Sequence, residues 1–451
     1  MPAKGVETSH VLTGEALLAR FTALDAFLIE HQALSKPRPF THLSLPWETA
    51  YPELASWLRG RSLEDAERAH NHPADLADAP EPFASLAALS TELSAVGELP
   101  GHALETAGHR LNVDVPGRKW QQIEAFGSRL SFASPPTHWL DWCSGKGHLG
   151  RRLLSAGQQL TCVEYDPALV ASGQALSQRH HLHALHVEQD VLATDAATVL
   201  SAHHTPVALH ACGDLHVRLM QLASAAGCQQ MAIAPCCYNR INRSEYRALS
   251  SAGLRSALQL SLEDLALPMS ETVTAGARVR RQRDTSMARR LAFDLLQRQV
   301  RGVDEYLPTP SLPNAWLDKP FADYCRDLAV LKELSTISTP DWQALEAAGW
   351  QRLAEVRNLE LLRGLYRRPL ELWLNLDRAI FLAEQGYVVR LGTFCDSSLT
   401  PRNFLLLAER AWNFHSLWIT LLMVFPWIQY PRPLRDRNSI GHFLFTWIKN
   451  L

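Results

Sequence analysis

Residues 138–150 read His-Trp-Leu-Asp-Trp-Cys-Ser-Gly-Lys-Gly-His-Leu-Gly. This stretch predicts a short buried strand over 138–141, a glycine loop over 144–150 and a helix continued by Arg151-Arg152-Leu153-Leu154. A strand, a glycine turn and a helix start together offer free backbone N–H groups to an anionic or polar ligand tail. Gly145 and Gly147 remove side chains that would hold such a ligand off.

Two ligands compete for the loop. Gly145, Gly147 and Gly150 satisfy G-x-G-x-x-G, and Glu164 follows at about the ~20-residue distance that a dinucleotide site requires. The same stretch also reads as acid-x-small-x-Gly-x-Gly, with Asp141, Cys143, Gly145 and Gly147 at those positions and Ser144 and Lys146 between them. That is the pattern of an S-adenosylmethionine loop. A carboxylate at Asp141 repels a pyrophosphate and suits the ammonium of a methionine tail, so S-adenosylmethionine is the expected cofactor.

Outward from the loop, strands alternate with helices. Strand 160–164 is followed by helix 167–179 and strand 185–189, and strand 207–210 by helix 215–226 and strand 231–234. This rhythm predicts a parallel sheet covered on both faces. Residues 240–368 break it with helical pattern and long loops, among them Leu307-Pro308-Thr309-Pro310. It resumes as a helix over 371–385 and strands over 387–394 and 403–408. The turn over 396–401 is too short for a parallel crossover, so the last strand runs antiparallel, which further disfavours a dinucleotide dehydrogenase. The expected fold is α/β, a seven-stranded Rossmann-like methyltransferase sheet with an N-terminal helical region and a helical insertion after the fifth strand. Its expected parts are 1–116, 117–411 with the insertion at 240–368, and an apolar tail at 412–451.

Upstream, Leu17, Phe21, Leu24 and Leu28 lie at helical spacing within 12–34, residues 59–82 read as a loop, and 83–99 as a second helix. A third helix, 121–130, follows Gly117-Arg118-Lys119-Trp120. The first hundred residues carry no catalytic pattern and read as a cap or positioning region.

With 451 residues, 47% hydrophobic and 20% charged, and a net charge of −2, the composition is that of a soluble globular chain. It excludes a whole-chain nucleic-acid binder, so any basic footprint is local. Eight cysteines and an N-terminus without a signal pattern predict reduced thiols in the cytoplasm. Residues 411–431 carry no formal charge, but the apolar run 417–425 falls short of the roughly 20 residues of a membrane span. A helix packed on the body or lying on a surface is expected there, ahead of membrane insertion.

The strand ends supply the remaining candidates. Glu164 is placed to accept both ribose hydroxyls of an adenosyl group, and Asp166 to cap the helix beginning at Pro167. Asp190 and Val191 are placed to meet the adenine, although an ordinary turn aspartate explains Asp190 equally well. His210-Ala211-Cys212-Gly213-Asp214 and Pro235-Cys236-Cys237-Tyr238-Asn239 end the fourth and fifth strands, at the edge where open parallel sheets bind ligands. His210 and Cys212 are assigned to the cofactor, and Asp214, Cys236, Cys237, Tyr238 and Asn239 to catalysis.

Together, the glycine-loop motif Asp141-Trp-Cys-Ser-Gly-Lys-Gly-His-Leu-Gly-Arg151, Leu209-His-Ala-Cys-Gly-Asp-Leu215 and Pro235-Cys-Cys-Tyr238 carry a resemblance. So do Arg368-Pro-Leu-Glu371, Leu376-Asp-Arg-Ala379 and Thr400-Pro-Arg-Asn403. The chain resembles a group of methyltransferase-domain proteins that includes the eukaryotic glutathione-S-transferase-C-terminal-domain-containing and ribosomal-RNA-adenine-dimethylase-domain-containing proteins. It is more distantly similar to the tRNA 2′-O-methyltransferases that modify position four. The resemblance implies a class I S-adenosylmethionine-dependent methyltransferase. Many of these relatives place a histidine where this chain has Asn239, which counts against a general base there.

Cys212 and Cys236 also follow the strands where RNA cytosine-5 methyltransferases keep two working cysteines, although buried filler is the plainer reading. Zinc on Cys212, Cys236 and Cys237 with His210 or His216 lacks a C-x-x-C pair, so no metal is expected. Arg278, Arg280, Arg281, Arg283, Arg289, Arg290, Arg298 and Arg301 face only Asp284 and Asp294 in a helix whose core face is Met287, Leu291 and Leu295. They suggest an RNA-backbone footprint, and no DNA-specific motif is present. RNA methylation leads. Methylation of a protein or small molecule, and a cofactor-binding scaffold without turnover, are the alternatives.

Overall fold

The computed structural model describes residues 10–411, apart from 77, 109, 271–275 and 335–339. Its centre is a sheet of β1 (Leu12–Thr13), β2 (His138–Trp142), β3 (Gln159–Glu164), β4 (Ala184–Glu188), β5 (His204–Leu209), β6 (Gln230–Ala234), β7 (Tyr387–Thr393) and β8 (Phe404–Arg410). The spatial order is β1-β7-β8-β6-β5-β2-β3-β4. Strands β2 to β6 run parallel, and β8 lies antiparallel between β6 and β7. The expected seven strands become eight, because Leu12 and Thr13 pair antiparallel with Leu391 and Arg390. The helical spacing of Leu17, Phe21 and Leu24 hid this edge strand, and Gly14 at φ +57° separates it from the helix Glu15–Glu30.

Alternation along each strand divides the core. Leu140, Trp142, Val163, Ala208 and Ile233 face the helices Glu15–Glu30, Asp214–Ala225 and Arg367–Glu384. Trp139, Leu160, Val207 and Ala232 face Ile123 and Phe126 of Gly117–Gly127 and Leu149 and Leu153 of His148–Leu153.

Between β6 and the helix Arg367–Glu384, the chain builds the helices Ala277–Arg301, Phe321–Leu331 and Trp342–Gly364. They pack through Phe293, Leu296, Phe321 and Leu328 in one cluster and Leu291, Leu353 and Val356 in another. Trp342–Gly364 also grips the N-terminal region. Asn358 Nδ2 donates to the carbonyls of Arg61 (3.1 Å) and Ser62 (2.9 Å), and Arg352 donates to that of Pro39 (2.8 Å). The loop expected over 59–82 contains the helix Leu63–Ala69, set by a capping box in which Ser62 and Asp65 exchange backbone-to-side-chain hydrogen bonds of 3.0 and 3.1 Å.

Among the described residues no helix is long and apolar enough to cross a membrane. The apolar run 417–425 lies outside the described residues.

Candidate active site

Parallel register brings five strand ends to one edge of the sheet: Trp142 pairs with Val163, Glu164 with Glu188, and Leu209 with Ala234. The glycine loop leaves β2 there with Cys143, Gly145 and Gly147 all left-handed, at φ 54°, 57° and 73°. Such a φ costs a non-glycine residue about 1–2 kcal/mol, so Cys143 has to be held. Hydrogen bonds from Ser144 N to Val163 O (3.0 Å), Gly147 N to Ser144 O (2.8 Å) and Gly145 N to Glu164 Oε2 (2.8 Å) hold it.

The two loop glycines serve different purposes. A Cβ on Gly145 would meet nothing within 4 Å, so this position opens on space. A Cβ on Gly147 would meet Cys162 Sγ at 2.9 Å and His186 Cε1 at 3.0 Å. Gly147 therefore lets the loop pack onto β3 and β4 and does not clear a ligand path, contrary to its expected role. Lys146 and Ser144 are half-buried in the same loop, with the Lys146 carbonyl accepting from Arg151 at 2.5 Å.

Asp141 is also used differently from its expected role. It is 3% exposed, and its Oδ2 accepts the Gly150 N–H at 2.8 Å beneath the loop. Burial pushes its carboxyl up to about 6, against the opposing pull of the Gly150 hydrogen bond and Arg151. The carboxylate fixes the loop's return and is not turned outward toward an ammonium.

Glu164 stands beside Gly145. Besides that N–H, it accepts Tyr165 N at 2.9 Å and Asp166 N at 3.1 Å, while Asp166 caps the helix Pro167–Arg179 through Ala168 N at 2.8 Å. Tyr165 is 70% exposed next to this carboxylate, and sequence reasoning passed over it. The signal was available, since an aromatic directly after a strand-end acid has a flat face to offer a base. Asp190 Oδ1 accepts Leu192 N at 2.9 Å in a turn. Val191 is buried, whereas its neighbour Leu192 is 50% exposed.

On the other half of the edge, His210 is left-handed (φ 71°) and its Nε2 lies 2.9 Å from Gln122 Oε1. Cys212 Sγ lies 3.3 Å from Cys236 Sγ, and these sulfurs and that of Cys237 all fall within 4.8 Å of one another. All eight cysteines are free thiols. Hydrogen bonds from Cys212 and then Cys236 pull the Cys237 thiol down to about 3, with Arg402 and Arg240 assisting, while the same sharing pushes Cys236 up.

Asp214 begins its helix and accepts Asn242 N at 2.8 Å, joining two loops. Tyr238 is fully buried, with its hydroxyl donating to Glu371 Oε1 at 3.2 Å and accepting from Asn375 Nδ2 at 2.8 Å. In place of the catalytic role expected of it, Tyr238 serves as a core strut next to Cys236 and Cys237. Asn239 Oδ1, by contrast, is out of solvent with no hydrogen-bond partner. His216 is also spent internally, its Nδ1–H donating to Ala211 O at 3.0 Å and its Nε2 accepting from Arg378 at 2.7 Å.

Residues 118–244 match a family model described as a methyltransferase domain. A search of curated proteins finds no match. Among solved structures, one described under "Conversion of a Disulfide Bond into a Thioacetal Group during Echinomycin Biosynthesis" aligns at 14% identity. The alignment covers 64% of this chain and 82% of that one, and at a TM-score of 0.21 nothing here rests on it. The segment that holds the glycine loop, Glu164, the cysteine cluster and Asn239 is therefore similar to a methyltransferase domain.

Proposed function

We propose that this chain is an S-adenosylmethionine-dependent methyltransferase whose acceptor sits over the tips of β5 and β6. The observation that carries the reading is the left-handed Gly145, open to space, with the Glu164 carboxylate on its N–H at 2.8 Å inside the segment that matches the methyltransferase model. These residues fit the cofactor. Gly145 leaves room for its polar tail, Glu164 offers a carboxylate to ribose hydroxyls, and Tyr165 offers a ring face to adenine. A pyrophosphate fits less well, because the N–H groups of Gly145 and Gly150 are already taken by Glu164 and Asp141.

When bound, S-adenosylmethionine supplies a methyl group made electrophilic by its sulfonium. The protein's task is then chiefly to hold an acceptor in line and keep water out.

The arginine helix bears on the acceptor class. Arg289 donates to the carbonyls of Leu317 (3.1 Å) and Lys319 (3.0 Å), Arg290 to that of Pro310 (2.9 Å), and Arg301 to Gln297 (2.6 Å). Arg298 pairs with Asp294 at 2.8 Å, and Arg283 with Glu67 at 3.4 Å. Arg278 and Arg281 remain exposed. Five of the eight guanidinium groups of the expected RNA footprint are thus held in structural contacts, which supports a protein or small-molecule acceptor over RNA. Labelled cofactor supplied with total RNA, total protein and a small-molecule extract tests this. Label entering RNA, and lost on Arg278→Gln with Arg281→Gln, would restore the RNA reading.

A further inference from the structure

The cofactor reading leaves the three clustered cysteines without a use. Cys212 follows β5, while Cys236 and Cys237 follow β6. Because β5 and β6 are parallel neighbours with Leu209 opposite Ala234, the register delivers residues 24 apart in sequence to a sulfur–sulfur distance of 3.3 Å. The third sulfur completes a group spanning no more than 4.8 Å. Zinc–sulfur bonds of about 2.3 Å in a tetrahedron put sulfurs roughly 3.8 Å apart, a value inside the observed spread. An ion would need the closest pair to open by roughly half an ångström.

The sulfurs stand on firm supports. Tyr238, next in sequence, is pinned by Glu371 and Asn375. The loop after Cys212 is locked where Asp214 N donates to Arg240 O at 3.0 Å, and a Cβ on Gly213 would collide with that same carbonyl. Ligands held by such a shell need little reorganisation to bind.

We propose that Cys212, Cys236 and Cys237 form a binding site for one thiophilic divalent ion of the zinc class, with its fourth position open at the carboxyl edge of the sheet. Soft thiolates select such an ion over magnesium or calcium. Neither nearby histidine fills the fourth position, since His210 turns to Gln122 and His216 is held by Ala211 and Arg378. Three protein ligands with a vacant position is the arrangement of zinc sites that receive water or a reacting group. Uptake replaces thiol protons with metal–sulfur bonds. The protons pass to solvent and no oxidation state changes.

The test uses the full chain, reduced and stripped with chelator, and titrated with Zn2+ against a competing chromophoric chelator and with Co2+ as a spectroscopic probe. The expected result is one ion per chain with a thiolate-to-cobalt charge-transfer band. Cys236→Ser and Cys237→Ser should each weaken binding by more than the ~10–100-fold cost of losing an outer-shell partner. Cys325→Ala, in the insertion core, should leave binding unchanged. If the serine variants fail to fold, X-ray absorption on the zinc-loaded wild type decides: three sulfur neighbours are expected, and fewer overturn the proposal. It is also overturned by sub-stoichiometric binding, by a cobalt spectrum without thiolate bands, by serine variants that bind as wild type, or by a Cys212–Cys236 disulfide in anaerobically isolated protein.

Discussion

Glu164 receives three backbone N–H groups on two oxygens, so removing it acts on both the loop and its ligand. Glu164→Ala should lower S-adenosylmethionine affinity by ~1.5–3 kcal/mol in calorimetry, the scale of a hydrogen bond to a charged acceptor. Wild-type affinity in this variant would remove Glu164 from the site. Asp141 makes a different prediction. Its carboxyl rises from 3.8 to about 6 on folding, so the native state holds the proton more tightly than the unfolded chain does. Stability should therefore be highest below pH 3.8 as far as this group is concerned, and should fall as pH rises through the window to about 6, by on the order of 3 kcal/mol. Asp141→Asn keeps an acceptor for Gly150 and should flatten that slope in urea unfolding at successive pH values; an unchanged slope would contradict it. The sequence identified both acids and the glycine turn. It did not show which way Gly147, Asp141 and Val191 face, because Cys162, His186 and Gly150 settle that through packing.

The helix Arg367–Glu384 explains motifs that had no role in the sequence. Asp377 accepts from Tyr246 Oη (2.6 Å), Leu249 N (2.8 Å), Ser250 N (2.9 Å) and Ser250 Oγ (2.6 Å), tying the start of the insertion to the sheet's covering helix. Arg378, equally buried, links Leu374 O and His216. Arg368 joins Glu371 at 2.7 Å to Asn403 at 2.6 Å, bracing the approach to β8. Asp377→Ala would leave four donors unmatched, two of them buried, and should destabilise the fold by ~3 kcal/mol or more, read from the denaturation midpoint at constant slope. A shift under 1 kcal/mol (roughly one lost neutral hydrogen bond) would show that the network is dispensable. Helix periodicity revealed this element, but its partners Tyr246, Leu249, Ser250 and His216 lie more than a hundred residues away and leave no local trace. In Ala277–Arg301, arginine density suggested a polyanion surface, whereas Arg289 and Arg290 reach backbone carbonyls 20–30 residues downstream.

Across the whole molecule, the N-terminal region packs against both the sheet's covering helix Arg367–Glu384 and the end of the insertion. Phe21 lies 5.1 Å from Trp373 and Phe27 lies 5.4 Å from Tyr366 between ring centroids, while Arg363 donates to Ser35 O at 2.8 Å. Removing residues 1–116 would strip Leu17, Phe21, Leu24 and Phe27 from this packing, each contributing about 1.5–3 kcal/mol of burial. The shortened chain should aggregate on size exclusion, and a monodisperse folded product would contradict this view. The parallel sheet and its antiparallel last strand were legible from strand periodicity and loop length. The eighth strand was not, because two residues give no period to read.

The edge beside Gly145 and Glu164 is proposed to hold S-adenosylmethionine. Calorimetry of the full chain with that cofactor tests it most directly, alongside NAD and a Gly145→Asn variant, since asparagine tolerates the left-handed backbone but fills the open space. The account predicts one S-adenosylmethionine per wild-type chain, no NAD binding, and loss of cofactor binding in a variant that still folds. Saturable NAD binding with none for S-adenosylmethionine, or a Gly145→Asn chain that binds S-adenosylmethionine as wild type does, would contradict it.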